Sequence, residues 1–382
     1  MKKYRFFNMG NDAFYLDEYL NKSTIVKAAT SCYMPANEIL LEQLEKFKGK
    51  FKITFSISGL AIEQLRAFAP EVLASFKKLA KTGYVEFLAE TYSHSLASLK
   101  DEAEFAEQVK RHEKLIESEF GVKPKVFKNT ELIYSNGIGQ MVNELGYKTI
   151  ITEGAKHILG WKSPNYIYAD AAEPKVKLLL RNSGLCDDIR YRFNDITWNE
   201  WPLTAEKYVA WIKSGEGDVS NIFLDYETFG MHHLCNTGIF DFLAYLPKIA
   251  IENGLEFKFP SEAVKLYQPI SVLNVVHPIS WADEERDTTS WLGNELQREA
   301  FNQLYSVRDK VKKINDKDIN YVWDFLQSSN HFYYMSTKWF VEGSTANVNP
   351  YDSPYEAFIN YMNVVSDYIR QVNEKYNHLT KK

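Results

Sequence analysis

Short apolar runs recur along this chain of 382 residues, and segments with helical periodicity lie between them. Most of the runs are rich in Val, Ile and Phe and are bounded by Gly, Pro or Asn, as expected for buried strands. Strands that alternate with helices are typical of parallel βαβ units, so the pattern predicts an α/β fold. The predicted strands are Phe51–Ser58, Tyr84–Ala89, Lys125–Lys128, Thr149–Thr152, Val176–Leu180, Asn221–Leu224 and Leu255–Phe259.

A charged or hydrogen-bonding residue follows the end of five of these predicted strands. In a β/α barrel the carboxyl ends of the strands meet on one face, where barrel enzymes have their active sites. A single polar residue at a strand end is also an ordinary turn former, so the prediction of a site depends on all five occurring together. The five residues are Glu90, Glu131, Glu153, Arg181 and Asp225.

The sequence changes character near residue 290, and no strand pattern follows. Apolar residues over 296–314 recur at spacings of three and four, as on one face of an amphipathic helix. The run Ser353–Glu356 is typical of a helix start, with an N-cap serine, an N1 proline and a capping-box glutamate. We therefore predict a catalytic β/α barrel over residues 1–275 and a helical region over residues 276–382.

Composition excludes several classes of protein. Charged residues make up 25% of the chain and the net charge is −5, which argues against a protein that binds nucleic acid electrostatically. The three cysteines form no closely spaced pair, so we expect reduced thiols in a cytoplasmic protein. We expect neither a secretory signal nor a membrane span, since no apolar run approaches the necessary length. The sequence does not indicate an oligomeric state.

Two features of the chain favour chemistry on sugars. Aromatic residues form 15% of the sequence, and flat rings stack on the apolar faces of sugars, although a ring-rich core has the same composition. Glu131 and Asp225 each follow a predicted buried strand, and glycoside hydrolysis requires two such carboxylates on opposite sides of the scissile bond. Each carboxylate could instead form an ion pair or cap a turn, and spacing alone favours neither interpretation.

Metal binding is the main alternative chemistry. None of the eight histidines lies in an HxxxH or HxxEH motif, and no cysteine lies at zinc-ligand spacing from them. A set such as Asp225, His94 and His232 could still assemble from separate strands, as a metal-dependent deacetylase or mannosidase on a similar barrel would need. We otherwise place His232 and its neighbour His233 on a loop that faces the cleft.

A polar and aromatic cluster, formed by Trp281–Arg286 and Trp291–Asn294, lies near the predicted boundary between the two regions. It fits either a wall of the cleft or a cap on the first helix of the helical region, and we slightly favour the cap. Glycine-rich phosphate loops and the G-x-S-x-G elbow of α/β-hydrolases are absent from the sequence.

The segments around these candidate residues resemble glycoside hydrolase family 57, a family of retaining α-amylases, glucanotransferases and branching enzymes. The similarity is closest to the members described as α-amylases and extends over nearly the whole chain, including SWADEERDTTSWLGNELQ (280–297). VEFLAETYSHS (85–95) resembles the second conserved region of the family, VFKNTELIYS (126–135) the third with its nucleophile, and FLDYETFG (223–230) the fourth with its acid/base.

This resemblance implies an incomplete (β/α)7 TIM-like barrel followed by helices, and a retaining α-glucan hydrolase of the α-amylase type that needs no metal or cofactor. The substrate would be an α-1,4-linked glucan or maltooligosaccharide. The resemblance also implies roles for individual residues: Glu131 as nucleophile, Asp225 as general acid/base, His94, Glu90 and His232 in the donor subsite, and Trp198, Trp201 and Trp291 as weaker candidates for sugar contacts.

Two alternatives stay open. A 4-α-glucanotransferase would use the same catalytic pair, and a non-catalytic α-glucan-binding homologue would use neither carboxylate. The family's first conserved region, a His-Gln-Pro motif at the end of the first barrel strand, is absent, and the chain opens at KKYRFFNMGND. We therefore expect Met1 to be an internal methionine, and we expect weakened folding or activity, because loss of a barrel strand exposes the backbone edges of its neighbours.

Overall fold

A computed structural model describes residues 1–10, 14–338 and 349–381 of the chain. The fold is α/β, with parallel strand pairs surrounded by helices. Five of the seven predicted strands are confirmed, and three of these five are shorter than the apolar runs that predicted them. The strands are β1 Ile53–Phe55, β2 Val85–Phe87, β3 Phe127–Lys128, β4 Thr149–Glu153, β5 Ile167–Asp170, β6 Lys177–Arg181 and β7 Ser271–Leu273.

The strands form two hydrogen-bonded sheets. β1 pairs with β2 in parallel, and the larger sheet has the order β3-β4-β6-β5-β7. A parallel backbone bridge between Ala89 and Phe127 joins the end of β2 to β3, so the two sheets continue into one another. The strands β3, β4 and β6 are mutually parallel, as predicted, whereas β5 runs antiparallel to β6. Neither β5 nor β7 was among the predicted strands.

Two predicted strands are wrong. Residues 221–224 make only one parallel bridge, from Asn221 to Arg181, and side chains take both backbone groups of Phe223. The Arg181 guanidinium donates to the carbonyl oxygen of Phe223 at 2.9 Å, and the Phe223 amide donates to the Cys186 sulfur at 3.3 Å. Residues 255–259 connect two helices, and Phe257 is anchored edge-on against Phe51.

Helices cover the strands and form most of the carboxyl-terminal third of the described chain. Two of the segments with helical periodicity between the predicted strands, 70–79 and 103–120, form α4 and α5. The helices are α1 Glu18–Ala28, α2 Met34–Lys46, α3 Gly59–Phe68, α4 Pro70–Lys81, α5 Glu102–Phe120, α6 Asn136–Glu144, α7 Lys156–Leu159, α8 Ser183–Asp187, α9 Ala205–Ser214, α10 Ile239–Glu252, α11 Pro260–Leu266, α12 Thr289–Leu292, α13 Glu295–Tyr305, α14 Arg308–Ile314, α15 Lys317–Leu326, α16 Ser329–Tyr333 and a C-terminal helix Pro354–Thr380.

The helical region shares a hydrophobic core with the strands. Phe127 of β3 and Ile150 of β4 belong to the same buried cluster as Trp323 and Tyr361, which lie on α15 and the C-terminal helix. The predicted start of the C-terminal helix is confirmed, because the Ser353 hydroxyl accepts a hydrogen bond from the Glu356 amide at 3.1 Å. The apolar stripe over 296–314 is divided between α13 and α14. A domain boundary at residue 275 stays a prediction.

Asp367 ties the start of the chain to the C-terminal helix. Its carboxylate is 1% exposed and accepts hydrogen bonds from the hydroxyls of Tyr4 and Tyr15 at 3.1 and 2.7 Å, and from the Gly10 amide at 2.9 Å. Arg370 lies one helical turn away and forms an ion pair with it at 3.0 Å. A buried carboxylate with this many donors stabilises the fold strongly only while all partners remain.

Cys32, Cys186 and Cys235 are free thiols, as predicted, and the first two are buried. Among the described residues, no helix combines the length and apolar character that a membrane crossing requires.

We predict that Asp367→Ala lowers the free energy of unfolding by about 3 kcal/mol, because it leaves buried hydroxyls and an amide without their acceptor. Urea unfolding followed by circular dichroism measures the change. Glu374→Ala is the matched control, since Glu374 pairs with Arg370 at the surface and should contribute less than about 0.5 kcal/mol. Equal effects of the two substitutions would contradict this account.

Candidate active site

Glu131 follows β3 directly and has an unusual backbone conformation. A short 3-10 turn begins after Lys128, and Glu131 has a φ of 55°, in the left-handed region that disfavours L-residues. Its carboxylate is 12% exposed and accepts three hydrogen bonds. His94 and Ser329 each contact Oε1 at 3.1 Å, and the Trp281 indole donates to Oε2 at 2.7 Å.

Left-handed residues concentrate around this carboxylate. The described chain contains six non-glycine residues with positive φ, and five of them lie in the segments that surround Glu131. Such conformations cost on the order of 1 kcal/mol or more each and persist where the surroundings impose them, as at active sites. The five residues are His94, Glu131, Leu132, Asp283 and Arg286.

His94 lies between two carboxylates. Its Nε2 contacts Glu131, and its Nδ1 contacts Oε2 of Glu90 at 3.4 Å. Burial opposes protonation of the imidazole, but the hydrogen bonds with Glu131 and Glu90 outweigh it and raise the pKa of His94 to about 9. His94 is therefore a cation at neutral pH, and both ring nitrogens donate.

Glu90 is held as an anion beneath His94. The carboxylate is 1% exposed, and it accepts from the Ser56 hydroxyl at 2.8 Å and from the Lys128 ammonium at 3.1 Å. Burial alone would raise the pKa of Glu90, but Lys128 and His94 hold it well below its ordinary value. Charges of opposite sign therefore alternate in this part of the site, which is the arrangement that a buried ionic cluster needs.

Glu131 is also held in its ionised form. Burial raises the pKa of this carboxyl, whereas hydrogen bonds from His94 and Trp281 and the charge of Lys128 lower it, and the net pKa lies below the ordinary value for glutamate. The cluster thus presents an oriented carboxylate anion that is still partly accessible from the cleft.

A chain of ionic contacts connects the remaining strand ends to Trp281. Arg181, at the end of β6, pairs with Glu153 of β4 at 3.1 Å and with Asp187 at 2.8 Å. Asp187 also pairs with Arg286 at 2.7 Å, and Arg286 donates to the carbonyl oxygen of Trp281. Trp281 therefore belongs to the wall of the site. Asn294 of the same cluster caps α13, since its side chain accepts from the Gln297 amide at 2.9 Å, so the preferred interpretation as a helix cap holds for that part of the cluster.

Asp225 lies at the start of the turn 225–228 and forms an ion pair with Arg190, whose Nε lies 2.9 Å from Oδ2. The Asp225 side chain is 30% exposed, so it is more accessible than Glu131.

Gly230 follows this turn with a φ of +104°, and a Cβ there would lie 1.8 Å from the carbonyl oxygen of Ser31. Glycine is therefore required for the chain to pass closely by the segment between α1 and α2.

Tyr333 lies near several charged groups of the site. Burial raises its pKa to about 12, and the negative charges of Asp283 and Glu131 add to the shift, while Arg190 opposes it. Tyr333 is thus within electrostatic range of Glu131 on one side and of Asp225's partner Arg190 on the other. Among the predicted strand-end residues, His94 joins Glu90 to Glu131. Arg181 pairs with Glu153, and Asp225 pairs with Arg190.

The other predicted contact residues have different positions. His232 is exposed near Asp225, in the loop where it was predicted. Its neighbour His233 is 5% exposed and bonds the carbonyl oxygen of Ile189, so its predicted place facing the cleft was wrong. Trp198 packs edge-on against Trp211, and Trp201 is 47% exposed on the same loop. Trp291 is 2% exposed in the core, so its ring offers no face to a ligand, and its position does not support a sugar contact.

Ser329 and Arg190 were missed by the sequence analysis. Ser329 lies in the helical region, 198 positions from its partner Glu131, and no local motif indicates such a contact. Arg190 follows α8 in a segment without strand or helix periodicity.

Among the described residues, no group of three or more His, Cys, Asp or Glu side chains is arranged to hold a metal ion.

Comparison with known proteins places the chain in a family. The family model for glycosyl hydrolase family 57 matches residues 3–276, which is more than half of the chain. The chain belongs to glycosyl hydrolase family 57. A relative from Methanocaldococcus jannaschii, named "Putative alpha-amylase", is 44% identical over 373 residues, which cover 94% of this chain and 79% of the relative. This family 57 protein is accordingly a glycoside hydrolase.

Several solved structures share the fold, among them one of a family 57 branching enzyme. A branching enzyme from Thermococcus kodakaraensis has a TM-score of 0.68 at 16% identity, covering 93% of this chain and 86% of its own. An α-amylase from Thermotoga maritima has a TM-score of 0.60 at 14% identity, with 95% and 92% covered. A 4-α-glucanotransferase from Thermococcus litoralis has a TM-score of 0.58 at 15% identity, with 91% and 53% covered.

We predict that the raised pKa of His94 makes stability depend on pH. A histidine with a folded pKa of about 9 and an unfolded pKa near 6.5 contributes stability that is complete below pH ~6.5 and is lost as the pH rises through 9. The free energy of unfolding should therefore fall by about 2 kcal/mol across this range.

Urea unfolding at intervals from pH 6 to 9.5 would measure this dependence. In His94→Gln most of the decline should disappear, whereas His378→Gln, at the exposed end of the C-terminal helix, should retain it. A His94→Gln profile parallel to that of the wild type would show that the ion pairs of His94 do not govern stability here.

Proposed function

We propose that this protein is a retaining α-glucan hydrolase of the α-amylase type, with Glu131 as nucleophile and Asp225 as general acid/base. The observation that carries the proposal is the Glu131 carboxylate, which His94 and Trp281 keep ionised and oriented at the end of β3. A nucleophilic carboxylate must be deprotonated and fixed before attack, and these contacts meet both requirements.

The reaction would proceed in two displacements. Asp225, in its protonated form, gives its proton to the glycosidic oxygen while Glu131 attacks the anomeric carbon, and the leaving glucan departs. Asp225 then accepts a proton from water, which attacks the glycosyl-enzyme and releases Glu131. The retaining mechanism requires the two carboxyl groups to lie about 5–5.5 Å apart in the reacting complex.

Around this pair, we assign His94, Glu90 and His232 to the donor subsite. The His94 ring lies next to Glu131 and is 29% exposed, so a bound sugar can contact it. Trp201 remains a candidate sugar contact on account of its exposure. We also propose that the strands close into the incomplete (β/α)7 barrel of the family, with residues 1–275 as barrel and 276–382 as helical region.

A 4-α-glucanotransferase is the second candidate. Its support is the structural likeness to the Thermococcus litoralis enzyme of that name. The first displacement would be the same, and a sugar hydroxyl in place of water would intercept the glycosyl-enzyme.

We predict that Glu131→Gln lowers kcat on maltoheptaose by about 10⁴-fold, because an amide cannot form the glycosyl-enzyme. The variant should still bind maltoheptaose in isothermal titration calorimetry, and its urea midpoint should stay close to that of the wild type. Glu144→Gln, at the exposed end of α6, is the control and should retain full activity. Residual activity within tenfold of the wild type would disqualify Glu131 as nucleophile.

Product analysis separates the two candidate activities. With maltoheptaose, the proposed hydrolase forms only shorter oligosaccharides, and proton NMR recorded before mutarotation should show the α-anomer at the new reducing end. Products longer than maltoheptaose would establish transfer instead. Initial release of the β-anomer would rule out the retaining mechanism for either activity.

A further inference from the structure

Ser329 connects the helical region to the candidate nucleophile. It is the first residue of α16, its side chain is fully buried, and its hydroxyl donates to Oε1 of Glu131 at 3.1 Å. Its backbone amide donates to the carbonyl oxygen of His94 at 2.9 Å. Ser329 thus contacts both the Glu131 carboxylate and the backbone of His94, the cation next to it.

The two oxygens of the Glu131 carboxylate are not equivalent. A carboxylate oxygen has about two lone-pair directions. Oε1 uses both, since it accepts from His94 and from Ser329, whereas Oε2 accepts only from the Trp281 indole among the described residues. Oε2 therefore keeps one lone pair that can point toward a substrate.

We propose that Ser329 is a positioning residue that, with His94, occupies Oε1 of Glu131 and leaves Oε2 as the attacking oxygen. This inference rests on the proposed function, in which Glu131 is the nucleophile. A lone pair of Oε2 forms the bond to the anomeric carbon, the glycosidic C–O bond breaks, and its electron pair stays on the glycosidic oxygen, which takes the proton from Asp225. Oε1 becomes the carbonyl oxygen of the glycosyl ester.

The hydroxyl of Ser329 contributes in both displacements. Before attack it prevents the carboxylate from turning about its Cγ–Cδ bond, so that Oε2 faces the cleft. In the second displacement the carboxylate is the leaving group, and a donor on Oε1 stabilises the charge that returns to it. Loss of this donor should therefore lower kcat, with little effect on substrate binding.

The test compares Ser329→Ala with Ser328→Ala, which removes the adjacent hydroxyl, on maltoheptaose across a pH series. For Ser329→Ala we expect kcat to fall by about tenfold, since a hydrogen bond to a charged group is lost. KM should rise by less than about twofold, and the acidic limb of kcat/KM should move toward neutral pH, because a carboxylate with fewer donors is protonated more easily. Ser328→Ala should behave as the wild type.

A second readout needs no turnover. Titration of the ¹³C-labelled Glu131 carboxyl by NMR should show a higher midpoint in Ser329→Ala than in the wild type. If Ser329→Ala does not fold cooperatively in urea, Ser329→Cys replaces it, since a thiol has a similar shape but donates weakly, and a smaller shift in the same direction is expected.

Unchanged kcat and an unchanged Glu131 midpoint would overturn the positioning role, as would an equal loss in Ser328→Ala or a rise in KM that accounts for the whole effect. These outcomes differ from failure of the proposed function. That failure appears as turnover retained in Glu131→Gln, whereas wild-type kinetics in Ser329→Ala, in an enzyme that Glu131→Gln inactivates, refutes only the role of Ser329.

Discussion

The three hydrogen bonds on the Glu131 carboxylate are the interaction on which the site depends. The donors come from three distant parts of the chain: His94 follows β2, Trp281 follows β7, and Ser329 begins α16. Because these donors must converge on one side chain, the strand pairs and the helical region have to pack in a single relative arrangement. The shared core of β3, β4, α15 and the C-terminal helix provides that arrangement.

Side chains of alternating charge allow these ionic groups to be buried together. Lys128, Glu90, His94 and Glu131 follow one another with alternating charge, and Arg181, Asp187 and Arg286 continue the pattern toward Trp281. Each ion is paired, so none bears the full cost of leaving water. The same pairing keeps Glu131 ionised. The positive-φ residues around it indicate that the local backbone is strained to bring these groups together.

Much of this arrangement could be predicted from the sequence. Glu131 and Asp225 were identified because apolar runs precede them, and a strand that delivers a polar residue at its end is a local signal. Ser329 carries no such signal, since its partner is 198 positions away and its own helix is short. Trp291 was misjudged because an aromatic residue in a polar motif fits a cleft as well as a core. Residues 221–224 have strand composition, yet the Arg181 side chain donates to the Phe223 carbonyl oxygen and the Asn182 amide donates to that of Asn221.

Covalent trapping tests the central claim most directly. A 5-fluoro-α-glucosyl fluoride would be turned over slowly enough for a retaining enzyme to accumulate its glycosyl-enzyme, and peptide mass spectrometry would then locate the sugar. The account predicts one labelled peptide that contains VFKNTELIYS, with the sugar esterified to Glu131. A label on another carboxylate, or no covalent adduct in a preparation that hydrolyses maltoheptaose, would contradict it.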